Sequence, residues 1–278
     1  MQVCETIGAF RAARRAISGS LGFVPTMGYL HAGHLTLIEQ ASAECASVVA
    51  SIFVNPTQFG PSEDLARYPR DLPRDLAQLE AAGVALVFAP TAAEMYPSQY
   101  STYVDVERVT ATLEGARRPG HFRGVATVVC KLFNIVQADR AYFGQKDAQQ
   151  TVVVRRMAED LNIPTEIVVV PTVREPDGLA LSSRNVYLDP AQRAVAPVLH
   201  RALQQAAQLY GRGERSAAAL RAALETTLAG EPLAQVEYVS VADAETLHEL
   251  DGPIQQGALL SLAVRFGATR LIDNIRLS

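Results

Sequence analysis

The chain has 278 residues, with 25 basic and 29 acidic side chains and a net charge of -4, so no global charge draws it to nucleic acid or to an anionic membrane surface. Hydrophobic residues make up 49% and charged ones 19%, the balance of a folded globular protein rather than a disordered one, and the length suits two ordinary domains or one large one. No run reaches the ~18 apolar residues of a membrane span, and the first twenty residues carry Glu5, Arg11, Arg14 and Arg15 where a signal peptide has its apolar core, so a cytoplasmic protein without a membrane partner is expected.

Along the chain, apolar runs of strand length alternate with amphipathic segments up to about residue 170. Strands are predicted at residues 22–25, 48–54, 84–89, 140–143 and 166–170. Between them, Leu37, Ile38, Ala41 and Cys45 share one helical face, Leu72, Leu76 and Leu79 another, and Val125, Val128, Val129, Leu132 and Val136 a third. Strand and helix in alternation predict a doubly wound parallel α/β sheet. From Pro190 the texture changes to a pair of Ala-, Gln- and Arg-rich helical segments, broken at Gly211 to Gly213 and ended near Gly230 and Pro232. Strands follow at residues 236–241, 258–264 and 269–275. Two domains are therefore expected, 1–172 and a smaller α+β domain at 173–278, with the boundary near Pro171 and Thr172. Cys4, Cys45 and Cys130 are scattered without the spacing of a zinc site or a disulfide framework, and read as core thiols.

Four polar clusters fall where strands or domains end. The first closes a predicted strand and enters a helix: Phe-Val-Pro-Thr-Met-Gly-Tyr-Leu-His-Ala-Gly-His over residues 23–34. In an open parallel sheet that is where ligands bind, and a helix N-terminus offers its unpaired N–H groups to an anion. Gly28 and Gly33 let backbone approach a phosphate, and His31 and His34 can share one side of the first turn. The segment is neither the dinucleotide fingerprint nor a Walker A loop. The same histidines could instead cap the turn or form half of a zinc site. In the second cluster, Asn55 and Gln58 pair donors with acceptors at a strand end, which suits a substrate with hydroxyl and carboxylate groups and equally suits turn chemistry.

The third cluster, residues 142–150, carries Gly144, Lys146, Asp147 and Gln150. Only Lys131 and Lys146 are lysines, so 23 of the 25 basic residues are arginines. Lys146 reads as a point charge for a phosphate, and Asp147 as a polar handle or a plain helix cap. In the fourth, residues 177–185, Ser182, Ser183 and Arg184 offer hydroxyls and a guanidinium to a phosphate tail, or else form a solvated hairpin. Four such clusters together suggest one nucleotide cleft.

These residues carry a resemblance. The motifs P-T-M-G-x-L-H-x-G-H at 25–34, F-V-N-P-x-Q-F at 53–59, Y-P-R at 68–70, H-F-R-G at 121–124, F-G-x-K-D-x-Q-Q at 143–150 and R-E-x-D-G-L-A-x-S-S-R-N at 174–185 stand in the order found in the pantothenate synthetases. The chain resembles that family, the pantoate–β-alanine ligases of the HxGH nucleotidyltransferase-like superfamily, along essentially its whole length. The resemblance implies a Rossmann-like domain for nucleotide and pantoate, a C-terminal domain closing over ATP, and a homodimer. It also implies condensation of D-pantoate with β-alanine through a pantoyl adenylate, with ATP converted to AMP and pyrophosphate and Mg²⁺ assisting.

Carried over by position, Met27, Gly28, Tyr29, Leu30, His31, Ala32, Gly33 and His34 line the ATP site, completed by Gly144, Gln145, Lys146, Asp147, Val173, Leu181, Ser182, Ser183 and Arg184. His34, His31, Lys146, Ser182 and Arg184 take the catalytic roles. Gln58, Gln150, Asn55 and Arg123 face pantoate or β-alanine, and Asp75 is the metal candidate. Three positions depart from the family pattern: Gln145 stands where glutamate is common, Leu181 where methionine is, and Arg74-Asp75 where two acids often sit. The competing readings are another nucleotidyltransferase of the HxGH type and an ATP-binding sensor without turnover.

Overall fold

The computed structural model describes residues 1–61 and 63–278. In chain order the elements are β1 (Gln2–Cys4), α1 (Ile7–Arg14), β2 (Leu21–Thr26), α2 (Ala32–Glu44), β3 (Ser47–Ile52), α3 (Leu72–Ala81), β4 (Leu86–Phe88), α4 (Ala92–Met95), α5 (Leu113–Arg117), α6 (His121–Val136), β5 (Arg140–Gly144), α7 (Ala148–Asp160), β6 (Glu166–Val170), α8 (Pro190–Val195), α9 (Val198–Gly211), α10 (Ala217–Ala229), β7 (Gln235–Ala242), β8 (Ala258–Phe266) and β9 (Thr269–Leu277). Short 3-10 turns stand at Pro56–Gln58, Gln145–Asp147 and Ser183–Tyr187. The chain forms two compact units: Met1–Gly144 with Gln150–Pro171, and Gln145–Gln149 with Thr172–Ser278.

The first unit is built on a six-stranded sheet in the order β1-β4-β3-β2-β5-β6, every pairing parallel. Parallel strands buried on both faces carry continuous apolar runs, and the two-residue period sorts each run. Val24, Val48, Ala50 and Val87 pack with Leu37, Ile38 and Ala41 of α2 and Leu79 of α3. Phe88 points to the other face, where its ring lies 5.2 Å from that of Phe10 on α1. With helices on both faces, the doubly wound architecture expected from the sequence is the one present. Sequence order reverses between β2 and β5, so the switch point of this sheet, where parallel sheets open a crevice, lies at the carboxyl ends of those two strands.

The second unit is an antiparallel sheet, β7-β8-β9, with α9 and α10 against one face. Leu260, Leu262, Val264 and Phe266 of β8 meet Leu199, Ala202 and Leu203 of α9 and Leu220, Leu224 and Leu228 of α10. Some elements differ from the sequence expectation, α1, α4 and α5 among them. β1 was not foreseen, because a three-residue edge strand with a single buried side chain carries no period to read. The helical pair after Pro190 is three helices, since Asp189 caps α8 with Pro190 at its first position and Pro197 begins the next helix.

Candidate active site

β2 ends at Thr26, whose hydroxyl donates to the Ser51 carbonyl at 2.7 Å and accepts from the Gly28 N–H at 3.1 Å. The chain then needs two left-handed residues in succession, Gly28 at φ 81° and Tyr29 at φ 51°. A Cβ on Gly28 would meet an Asp75 carboxylate oxygen at 2.9 Å. That carboxylate, 1% exposed on α3, is the anchor of the turn: Oδ2 accepts from the Tyr29 N–H and Oδ1 from the Leu30 N–H, each at 2.7 Å. Its neighbour Arg74 donates to the Leu30 carbonyl at 3.3 Å, and its guanidinium lies 5.2 Å from the centre of the Tyr29 ring. Where the resemblance led to two acids, this chain therefore grips the turn from both sides, by its N–H groups and by its carbonyl.

His31 and His34 form a reciprocal cap on α2. His31 Nδ1 accepts from the Gly33 N–H at 3.2 Å, and His34 Nδ1 accepts from the His31 N–H at 3.3 Å. An acceptor at Nδ1 places the proton of a neutral ring on Nε2, so both imidazoles present an Nε2–H donor. Their centroids lie 4.1 Å apart. The capping and phosphate-binding readings therefore use opposite sides of the same rings.

At the end of β3, Asn55 is 1% exposed and its amide is committed within the protein. Oδ1 accepts from the Thr57 and Tyr96 hydroxyls at 2.9 and 2.8 Å, while Nδ2 donates to the Gly124 carbonyl and to Gln58 Oε1 at 3.2 and 3.0 Å. Asn55 thus holds Gln58, whose Nε2 lies 3.3 Å from Met27 Sδ. His121, at the first turn of α6, completes the support. Arg118 can only donate to His121 Nε2, at 3.0 Å, so His121 Nδ1 carries a proton and donates to the Gln58 carbonyl at 2.8 Å. Burial and then the Arg118 charge push the His121 pKa down to about 4. Gly124 lets α6 come close, because a Cβ there would stand 2.4 Å from the Thr57 carbonyl oxygen. Arg123, on the same helix, is exposed with its guanidinium 4.3 Å from the centre of the Tyr103 ring. Gln150 is half-buried in the first turn of α7.

The second unit carries most of the remaining candidates. Gly144 ends β5, and Gln145 to Asp147 form a 3-10 turn in which Lys146 Nζ is 3.8 Å from Asp147 Oδ1. Val173 and Leu181 close the base of a hairpin, with the Leu181 N–H donating to the Val173 carbonyl at 3.0 Å. Inside it, Arg174 bridges to Ala180, and Gly178 turns the chain at φ 95°. Arg193 ties the hairpin down through Glu175 and Asp177 at 2.5 and 2.6 Å. Ser182 then caps the turn of Ser183 and Arg184, its Oγ accepting from the Arg184 N–H at 3.2 Å. The sequence reading missed Asp273 and Asn274 of β9, which hold Arg174 and the Lys146 turn respectively. Two polar residues in succession between Leu271-Ile272 and Ile275 were the available signal.

A parallel sheet whose switch strand runs into a His-x-Gly-His helix cap, with a buried amide pair in the turn beyond the adjoining strand, defines a nucleotide-handling α/β enzyme of the HxGH type. The chain belongs to the pantoate-beta-alanine ligase family, whose model matches residues 2–276. It is 68% identical over 274 residues to the pantothenate synthetase of Chloroflexus aggregans, covering 99% of each chain, and 65% identical to that of Roseiflexus castenholzii, covering 99% of this chain and 98% of the relative. Among solved structures, the pantothenate synthetase of Thermus thermophilus superposes with a TM-score of 0.94 at 55% identity over 99% of both chains. The pantoate-beta-alanine ligase of Francisella tularensis, complexed with beta-gamma ATP and beta-alanine, gives 0.82 at 33% identity over 99% of this chain and 97% of that one.

Proposed function

We propose that the chain condenses D-pantoate with β-alanine at the expense of ATP, in two displacements. A pantoate carboxylate oxygen bonds to the α-phosphorus as the bond to the β-phosphate oxygen breaks, releasing pyrophosphate and leaving pantoyl adenylate. The β-alanine amine then attacks the acyl carbon, the bond to AMP breaks, and the amine gives up a proton. No covalent bond to the protein is needed.

The observation that carries this reading is the reciprocal histidine cap, which fixes two Nε2–H donors at the N-terminus of α2. Donors held in advance are the arrangement that stabilises charge growing on phosphate oxygens during attack. Lys146, Ser182 and Arg184 supply the remaining phosphate contacts, with Met27 to His34, Gly144 to Asp147, Val173, Leu181 and Ser183 lining the ATP site. Gln58 and Gln150 bind pantoate, and Gln58 also meets β-alanine. Asn55 and His121 act on the substrate through Gln58, and Arg123 stands at the rim. Mg²⁺ bound to the ATP phosphates would neutralise part of their charge. Both Asp75 oxygens already accept a short backbone bond, so Asp75 serves as the anchor of the turn rather than as a metal ligand. The enzyme works as a cytoplasmic homodimer.

AMP and pantothenate are the products to measure, from ATP, Mg²⁺, D-pantoate and β-alanine, omitting each substrate in turn and with His34→Ala as control. Equal amounts of both, lost on any omission and in the control, are expected. A retained nucleotidyl product would point to another transferase, and ATP binding without AMP to a sensor. Light scattering tests the dimer.

A further inference from the structure

Lys146 lies on a 3-10 turn too short to fix its own geometry, yet the peptide groups on either side of its α-carbon are both pinned from one source. Asn274 of β9, 4% exposed, donates from Nδ2 to the Gln145 carbonyl and to the Lys146 carbonyl, each at 2.9 Å. Two peptide planes flank an α-carbon and their orientations set its φ and ψ, so holding both aims the Cα–Cβ bond of Lys146. Gln145 closes the ring, its Nε2 donating to Asn274 Oδ1 at 2.9 Å. Because two carbonyls claim Asn274 Nδ2, its amide has a single orientation that turns Oδ1 to a donor at residue 145. A glutamate there has no proton to give at neutral pH, so the Gln145 of this chain supplies a hydrogen bond that the more common residue cannot.

The neighbouring residue extends the device. Asp273, 2% exposed, grips Arg174 with both oxygens, at 2.6 and 2.9 Å, and accepts the Asn274 backbone N–H at 2.8 Å. Arg174 in turn donates to the Gly178 carbonyl at 3.1 Å. Successive strand residues face opposite ways. Asp273 shares the parity of Leu271, Ile275 and Leu277, which join the core beneath α9, while Asn274 points to the other face. One strand thus sets the register of the Lys146 turn on one side and of the hairpin leading to Ser182 and Arg184 on the other.

We propose that Asn274 is a positioning residue for Lys146 in ATP use, acting through the two carbonyls it holds, with Gln145 locking its amide. The inference rests on the assignment of Lys146 to the ATP phosphates. It is tested in the full-length protein with Asn274→Ala, Lys146→Ala, the double variant and Gln145→Glu, each checked for parental circular dichroism and melting temperature. Asn274→Ala is expected to lower kcat/KM for ATP ~10-fold or more, the scale of a small misplacement of a catalytic group, and to leave KM for β-alanine within about twofold. In the Lys146→Ala background the same change is expected to cost little more, because coupled residues do not add. Gln145→Glu, which keeps the turn and removes one donor, is expected to show a smaller loss of the same kind, and it carries the test if Asn274→Ala fails to fold. A parental ATP kcat/KM in Asn274→Ala, or in Gln145→Glu should that stand alone, overturns the proposal when Lys146→Ala is impaired. So does a full additional loss in the double variant. A Lys146→Ala enzyme with parental ATP kinetics removes instead the phosphate assignment beneath it.

Discussion

The turn from Met27 to His34 and the turn around Lys146 are both loops after a sheet strand, yet they are held in different ways. The first is shaped largely by its own residues: Thr26 receives Gly28, His31 receives Gly33, and His34 reaches back to His31. Asp75 and Arg74 add a clamp from 44 to 46 positions away. The second takes its hydrogen bonds from Asn274, 128 and 129 positions along the chain. Local capping can be read from neighbouring letters, whereas a strand that returns from another part of the fold cannot.

The largest expected effect treats the two turns alike. His34→Ala and Lys146→Ala should each lower turnover ~100-fold or more, because interactions with charge that develops in the transition state carry several kcal/mol. Rapid-quench measurement of pantoyl adenylate would place the loss in the first displacement, and unchanged rates in folded variants would remove these roles. Asp75→Ala sharpens the contrast, since it leaves two N–H groups of the first turn without acceptors and each such loss costs ~1–3 kcal/mol. A fall of that size in urea stability, accompanied by slower turnover, is expected. An active variant of parental stability would show that the turn holds itself.

Gly124→Ala should be milder and specific. The new methyl presses on the Thr57 carbonyl, and overpacking of this kind costs ~1–3 kcal/mol. Because the same backbone carries Gln58, KM for pantoate should rise while KM for ATP stays near parental. A pH slope from His121 is expected as well. Its pKa is about 4 in the folded protein against ~6.5 when unfolded, so between those values the unfolded chain holds the extra proton. Stability should therefore increase with pH across that window, by roughly 3 kcal/mol in all for a group buried this deeply. Urea midpoints measured from pH 4 to pH 7 in the parent and in His121→Gln, which can keep a donor toward the Gln58 carbonyl, should show a shallower slope in the variant.

The parallel sheet, the three strands of the second unit and the polar strand ends were legible because each rests on a short-period pattern or on a motif that terminates one. β1 lay below that threshold. The roles of Arg74, Asn55 and His121 lay beyond it for another reason. Each acts through a carbonyl or an amide rather than by its own chemistry, and backbone acceptors leave no mark in a sequence. Gln145 shows the same limit. Its departure from the common glutamate was visible in the sequence, but that its side chain turns to Asn274 was not.

The five residues Gln145 to Gln149 belong with the second unit although the first surrounds them in the chain. Cutting the gene at the visible boundary after Pro171 would thus split the second unit and leave Gln145 to Gln149 on the upstream piece. The upstream fragment would keep Lys146 without the strand that shapes its turn, and the downstream fragment would present Asn274 with nothing to hold. The second unit therefore waits on β9, because ribosomal synthesis must reach that strand before a turn made more than a hundred residues earlier meets the Asn274 side chain that holds it.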